Sequence, residues 1–335
     1  TTDALIKLNW SDMIRIGLAD RRALIVFALV GPLAEQMGDE IEVYIGRFIQ
    51  NAAMGASQFG LSTGVLIVIA LVVGALLLFA LFSITAAFLR YHNFELFLDG
   101  RTLRSYGGLL TKHEHSMDLE KIQTLRLQQG IIQSWMKRFR MTARQATSGR
   151  QHQGGKQKMF TIPVVTASEA DQLRPLLFAN EAGRLTQDPR SNEFKPVSRY
   201  YMRSRILFIG LLPAIVLALF CFGEIGSVGL IALLWLPIVA ALSWRNWQRA
   251  GYHFDKDEIV RRSGLLGFRT VGLLFRKVQR VTVTQSRYQR RKGLASLRMY
   301  MASGKVSVPY IEHELAQQLR DYILYRVESS QRAWH

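Results

Sequence analysis

The chain has 335 residues, a formal net charge of +18 and a pI near 10.4, and 49% of its residues are hydrophobic. That length allows two or three domains, and the apolar residues fall in blocks. A basic chain with apolar blocks points to a membrane protein facing an anionic leaflet and away from nucleic acid, the competing partner for such charge. The single cysteine, Cys221, excludes an intrachain disulfide and a cysteine-based metal site.

Residues 1–22 read as an amphipathic lead-in, with Leu5, Leu8, Ile14, Ile16 and Leu18 interleaved with polar residues. Residues 23–90 read as a first transmembrane hairpin. Ala23–Ala34 is a short apolar leg interrupted by Pro32. Gly38–Gly60 is an outer loop carrying Asp39, Glu40 and Glu42, and Leu61–Leu89 is uncharged throughout and closed by Arg90. A bilayer core takes about 20 helical residues. The apolar run from Ile206 to Trp244, with Glu224 as its one charge, is therefore long enough for two crossings. We expect Ile206–Phe222 out and Ile225–Trp244 back, with Glu224 in a glycine-rich turn between Gly223 and Gly229. An intramembrane functional carboxylate is the other reading of Glu224. Arg199, Arg203 and Arg205 precede this run and Arg245, Arg249 and Lys256 follow it, which places both its ends in the cytoplasm. Trp135, Trp235, Trp244 and Trp247 are candidate interface anchors.

Each hairpin is followed by a polar, basic region, and the two regions are copies of one another. Tyr91 corresponds to Tyr252, Gly108-Leu109-Leu110 to Gly264-Leu265-Leu266, Lys121-Ile122-Gln123 to Lys277-Val278-Gln279, and Gln129 to Gln285. After a glycine-rich insert at Gly149–Lys158, Ile162-Pro163 corresponds to Val308-Pro309 and Gln172-Leu173-Arg174 to Gln318-Leu319-Arg320. Within each copy the apolar period is near two, as in Ile122, Leu125 and Leu127 or Val278, Val281 and Val283, which marks half-buried strands. Each copy ends in a helical pattern, Ala167–Phe178 with Ser168 as a cap candidate and Ile311–Val327. Several short strands closed by one helix describe a small barrel or sandwich. The expected organisation is lead-in 1–22, hairpin 23–90, first copy 91–182, linker 183–203, hairpin 204–247, second copy 248–328 and tail 329–335.

This arrangement of span pair, tyrosine, strands, Gly-Leu-Leu, Lys-apolar-Gln, Gln and terminal helix resembles the bacterial pleckstrin-homology-like (PH-like) membrane proteins of the YdbS and YdbT type. The resemblance covers about Ala23–Val327. It implies an α+β membrane protein in which helical hairpins alternate with two PH-like domains. Larger members look like three such units in tandem, so a further unit upstream is expected. The family supplies no catalytic residues.

The side chains carry little catalytic signal. His113-Glu114-His115 could place two ligands on one strand face, but a third is missing, and an exposed edge strand accounts for them. No cofactor is implied. The basic clusters are more informative: Lys137, Arg138, Arg140 and Arg144 in the first copy, and Arg287, Arg290, Arg291 and Lys292 in the second. Under an inner leaflet each such charge gains about 1 kcal/mol from anionic lipid; a solvated face that merely obeys the positive-inside rule is the alternative. The sequence thus predicts a non-enzymatic scaffold of the bacterial cytoplasmic membrane. It would bind anionic phospholipids and a protein partner, such as a smaller PH-like membrane protein. A component of a transport, export or toxic-peptide resistance system is the second reading.

Overall fold

The computed structural model describes residues 4–19, 63–145, 159–178, 194–225, 233–265 and 267–330. The short leg of the first hairpin, its outer loop and the glycine-rich insert lie outside these residues. The chain divides into two compact units, residues 1–97 with 105–114, and residues 98–104 with 115–335.

In the first unit strand β1 (Ile6–Lys7) pairs antiparallel with β2 (Glu95–Asp99), Ile6 opposite Leu96. Helix α1 (Trp10–Ala19) packs on α2 (Thr63–Tyr91), whose segment Val73–Tyr91 is long and apolar enough to cross a membrane. Gly17 permits this crossing, because a Cβ there would stand 2.5 Å from the Ile84 Cα. Ser83 donates its hydroxyl proton to the Gly17 carbonyl at the same point. Gly17→Val should therefore push α1 off α2 and cost about 1 kcal/mol, the lower end for overpacking because a surface helix can shift. Thermal unfolding in detergent checks this.

Strands β3 (Thr102–Gly107) and β4 (His113–Asp118) continue the first copy in a sheet ordered β1-β2-β3-β4. The next strands do not stay within their own copy. β5 (Ile122–Gln129), β6 (Phe139–Gln145) and β7 (Met159–Val165) join β8 (Lys195–Pro196), β9 (Gly251–Phe254), β10 (Glu258–Ser263) and β11 (Phe268–Leu274) in one seven-stranded sheet of order β7-β6-β5-β11-β10-β9-β8. The joint is the antiparallel pair β5–β11, running from Gln129 opposite Phe268 to Thr124 opposite Leu273. The second copy is completed by a three-stranded sheet, β12 (Arg280–Thr284), β13 (Leu294–Met301) and β14 (Gly304–Glu312). Its core gathers Tyr252, Ile259, Leu273, Phe275, Leu297, Met299, Val308 and Ile323. Inward positions alternate along each strand, Leu297 and Met299 against Val283 and Val281, as half-buried strands require.

Each copy ends in the expected helix, here α3 (Ala167–Leu177) and α4 (His313–Glu328). The cap of α3 is Thr166 rather than Ser168. The Thr166 hydroxyl accepts from the Glu169 N–H at 3.2 Å and Glu169 accepts from the Thr166 N–H at 2.7 Å, a reciprocal pair that Ser168 cannot form.

Two expected boundaries move. The stretch expected to be a linker up to 203 is structural from Phe194 onward: β8 extends the large sheet and Val197 is buried in the second core. Apolar Phe194 and Val197 explain why it does not stay in solvent. The second apolar run begins as helix at Tyr200, not Ile206, and continues through a π-helical turn at Ile206–Leu211 into Leu212–Ile225. Glu224 therefore sits on the last helical turn. The segment Tyr200–Phe220 is long and apolar enough to cross a membrane. It is met by the helix Trp235–Arg249 at Gly210, where a Cβ would lie 3.2 Å from Leu236 and Val239. A π-turn disturbs the i→i−4 ladder, and the indole N–H of Trp235 donates to the Ile209 carbonyl there, at 3.0 Å.

Candidate functional site

Between β5 and β6, and between β12 and β13, the chain makes a short helical tip. In the first copy the helix is Ile131–Trp135 and in the second Arg287–Arg290. Both tips are built alike. Gln133 accepts from the Gly130 N–H and Gln289 from the Ser286 N–H, each at 2.9 Å. Gln129 donates to the Arg138 carbonyl and Gln285 to the Leu294 carbonyl, tying the strand end to the chain beyond the helix. The repeated glutamines are therefore scaffold. The Gly130/Ser286 difference removes only a hydroxyl that accepts from the Gln289 N–H.

What the tips carry differs. In the first copy Ile131, Ile132 and Trp135 are exposed, Trp135 to 90%, beside exposed Lys137. In the second Arg287, Arg290, Arg291 and Lys292 are all exposed. The second tip stands at the foot of the apolar helix. The Lys292 ammonium lies 5.3 Å and the Arg203 guanidinium 5.2 Å from the centre of the Tyr200 ring, and Tyr288 meets the same ring edge-on. Of the tryptophans expected at interfaces, Trp244 is exposed. Trp235 is bound to Ile209 as above, and Trp247 is partly buried on the second core and donates to the Val197 carbonyl at 2.9 Å.

Arg138, Arg140 and Arg144 are half-buried and do not share the exposure of Lys137. Arg140 and Arg144 belong instead to an arginine face of the seven-stranded sheet. Residues directly opposite in antiparallel strands share a face. Arg140 stands opposite Gln128, which stands opposite Arg269; Thr142 stands opposite Arg126, then Val271, then Arg261; Arg144 stands opposite Thr124. Arg126, Arg140, Arg144, Arg261 and Arg269 thus crowd one face across the joint, and among the described residues no carboxylate pairs with any of them. The Nε atoms of Arg126, Arg140 and Arg144 are buried without a hydrogen-bond partner there. Burial, then the charges of Arg144 and Arg269, push the Arg126 guanidinium down to about 10. Burial also lowers Arg261, against the influence of Tyr201. Such a face can receive an anion by charge-assisted, bidentate hydrogen bonds.

Arg126, Arg261 and Arg269 were not singled out from sequence, because Arg126 and Arg269 are lone arginines and Arg261 has only Arg262 beside it, each on an alternating strand. The signal lay in what is missing. There is no Asp or Glu between Glu120 and Glu169, nor between Glu258 and Glu312. His113 and His115 are exposed on β4, and Glu114 accepts from the Tyr106 hydroxyl at 3.1 Å. Among the described residues no cluster of three metal-ligating side chains forms.

Duplicated sheets each closed by a helix, beside apolar helices of membrane-crossing length, define a membrane-associated protein with PH-like domains. The chain belongs to the bacterial PH domain family, which it matches over residues 48–181 and 206–327. It is similar to the UPF0699 transmembrane protein YdbT of Bacillus subtilis (strain 168), with 23% identity over 272 residues that cover 81% of this chain and 51% of that protein. The chain spans about half the length of this curated relative.

Proposed function

We propose that the chain is a non-enzymatic scaffold of the bacterial cytoplasmic membrane whose PH-like copies lie on the anionic inner leaflet and touch it through their tips. One observation carries the reading: Lys292 and Arg203 flank Tyr200, the residue at which the apolar helix begins. A cationic tip fixed at the foot of a membrane-crossing helix lies within a Debye length of lipid headgroups, where each basic residue contributes about 1 kcal/mol. The first tip complements it with an exposed Trp and two Ile, side chains suited to the headgroup–acyl boundary. The arginine face supplies a second place for phosphate groups.

The test is the lipid that stays bound to detergent-purified protein, read by mass spectrometry. The triple reversal Arg290→Glu, Arg291→Glu, Lys292→Glu should lower the anionic share of the bound lipid and flatten its salt dependence. An unchanged share would sink the reading.

A further inference from the structure

The joint between the two copies uses half of each repeated motif and leaves the other half over. At the joint the buried Gln123 side chain accepts from the Ser303 N–H at 2.7 Å, and the buried Lys277 ammonium donates to the Glu120 carbonyl. Arg174 on α3 grips Glu258 on β10, and Phe178 lies over Gly272 of β11. The repeat partners of the first copy's contributions sit at the far end of the second copy. Gln279 matches Gln123 and is exposed; Arg320 matches Arg174 and is half-exposed, reaching among the described residues only its neighbour Asp321. Leu324 matches Phe178 and is 38% exposed, where Phe178 is 2% exposed. β12, which matches β5, is an edge strand of its sheet. Ala316 and Ile323 hold α4 on that sheet as Ala170 and Leu177 hold α3.

We infer that the β12 edge, with Gln279, Arg320 and Leu324, docks a further PH-like unit. That unit must be built like the second copy here. It needs a Glu opening its second strand, as Glu258 does, and a Gly nine residues on, as Gly267 is. It also needs an apolar third strand and a Lys in place of Lys277. The first copy of this same chain does not qualify. It has Thr102 where Glu258 stands and Thr111 where Gly267 stands. A Cβ at Gly267 would fall 2.0 Å from the Gln129 carbonyl oxygen, so the Thr111 side chain closes the β4 edge to the same joint. The first copy of a second molecule of this protein therefore does not supply that unit. The inference is independent of lipid binding.

The full chain supplies its own probe. Thr102→Glu combined with a graft of residues 267–274 onto positions 111–118 gives a first copy with the required features. The grafted chain should then capture differently tagged wild-type chain in mild detergent, and wild type should not capture wild type. Arg320→Glu in the wild-type partner should abolish capture. Where the graft lowers the unfolding midpoint, the smaller variant Thr102→Glu, Thr111→Gly serves in its place. A folded variant that captures nothing overturns the inference, and so does capture that survives Arg320→Glu. Equal capture by ungrafted chain overturns the exclusion of self-pairing.

Discussion

At a pH above about 7, where the Glu258 carboxyl is ionised, replacing Arg174 by Met should destabilise the joined copies by about 3–5 kcal/mol, because it leaves a buried carboxylate without its counter-charge. Arg174 Nη2 reaches both Glu258 oxygens, at 2.9 and 2.8 Å, and the two side chains are 8% and 0% exposed. Glu258→Gln should cost a comparable amount by stranding the guanidinium. The double variant Arg174→Met, Glu258→Leu should recover much of the loss, since well-packed apolar replacements of a buried pair are often neutral. Denaturant unfolding in detergent measures all of them. A double variant as unstable as the sum of the single ones would show that the pair is not coupled.

The same pair gives a pH dependence with a definite sign. Burial raises the Glu258 carboxyl from its ordinary 4.5 to about 7, with Arg174 opposing and the neighbouring Asp255 and Asp257 adding to the rise. Burial likewise lowers Arg174. Between the two carboxyl values the folded state holds a proton that the unfolded state has released. Glu258 therefore contributes most below 4.5, and its contribution falls as pH rises through about 7. The stability difference between wild type and Glu258→Gln should shrink over that window on raising the pH. A difference that grows instead would mean that the attraction of Arg174 outweighs burial.

Much of this was legible in the residues. The duplication, the strand period in Val281 and Val283, the terminal helices and the apolar run beginning near Ile206 all follow from local pattern. The seven-stranded sheet was not legible, because alternation shows that Leu125 and Leu127 face a core without saying which strand lies beside them. Glu258 looked like any polar residue opening a strand, and only its place under Arg174 makes it structural. The basic clusters divide for the same reason. Arg287, Arg290 and Arg291 lie on or beside a tip helix and stay in solvent, whereas Arg140 and Arg144 lie on a strand whose neighbours are further arginines.

Gly267→Ala should be the most damaging of the small substitutions, costing about 3 kcal/mol, the upper end for overpacking. The added methyl would meet the Gln129 carbonyl oxygen at 2.0 Å and the Gly130 Cα at 3.0 Å. Both are backbone atoms of the strand end to which β11 is paired, and no rotamer change relieves them. The turn cannot simply retreat, because the Arg249 guanidinium donates to the carbonyls of Leu265 and Gly267, each at 3.1 Å, and stacks 4.7 Å from the centre of the Phe268 ring. Strain should therefore pass into the β5–β11 pair, beginning at Gln129 opposite Phe268. Amide exchange of Arg269 and Val271 should accelerate, while exchange in the β12–β14 sheet should stay near wild type. Thr111 occupies the matching turn of the first copy with its side chain exposed, so Thr111→Ala should leave stability within about 0.5 kcal/mol of wild type, as surface changes do. Equal damage at the two positions would mean that the glycine is required by its own turn and not by the neighbouring copy.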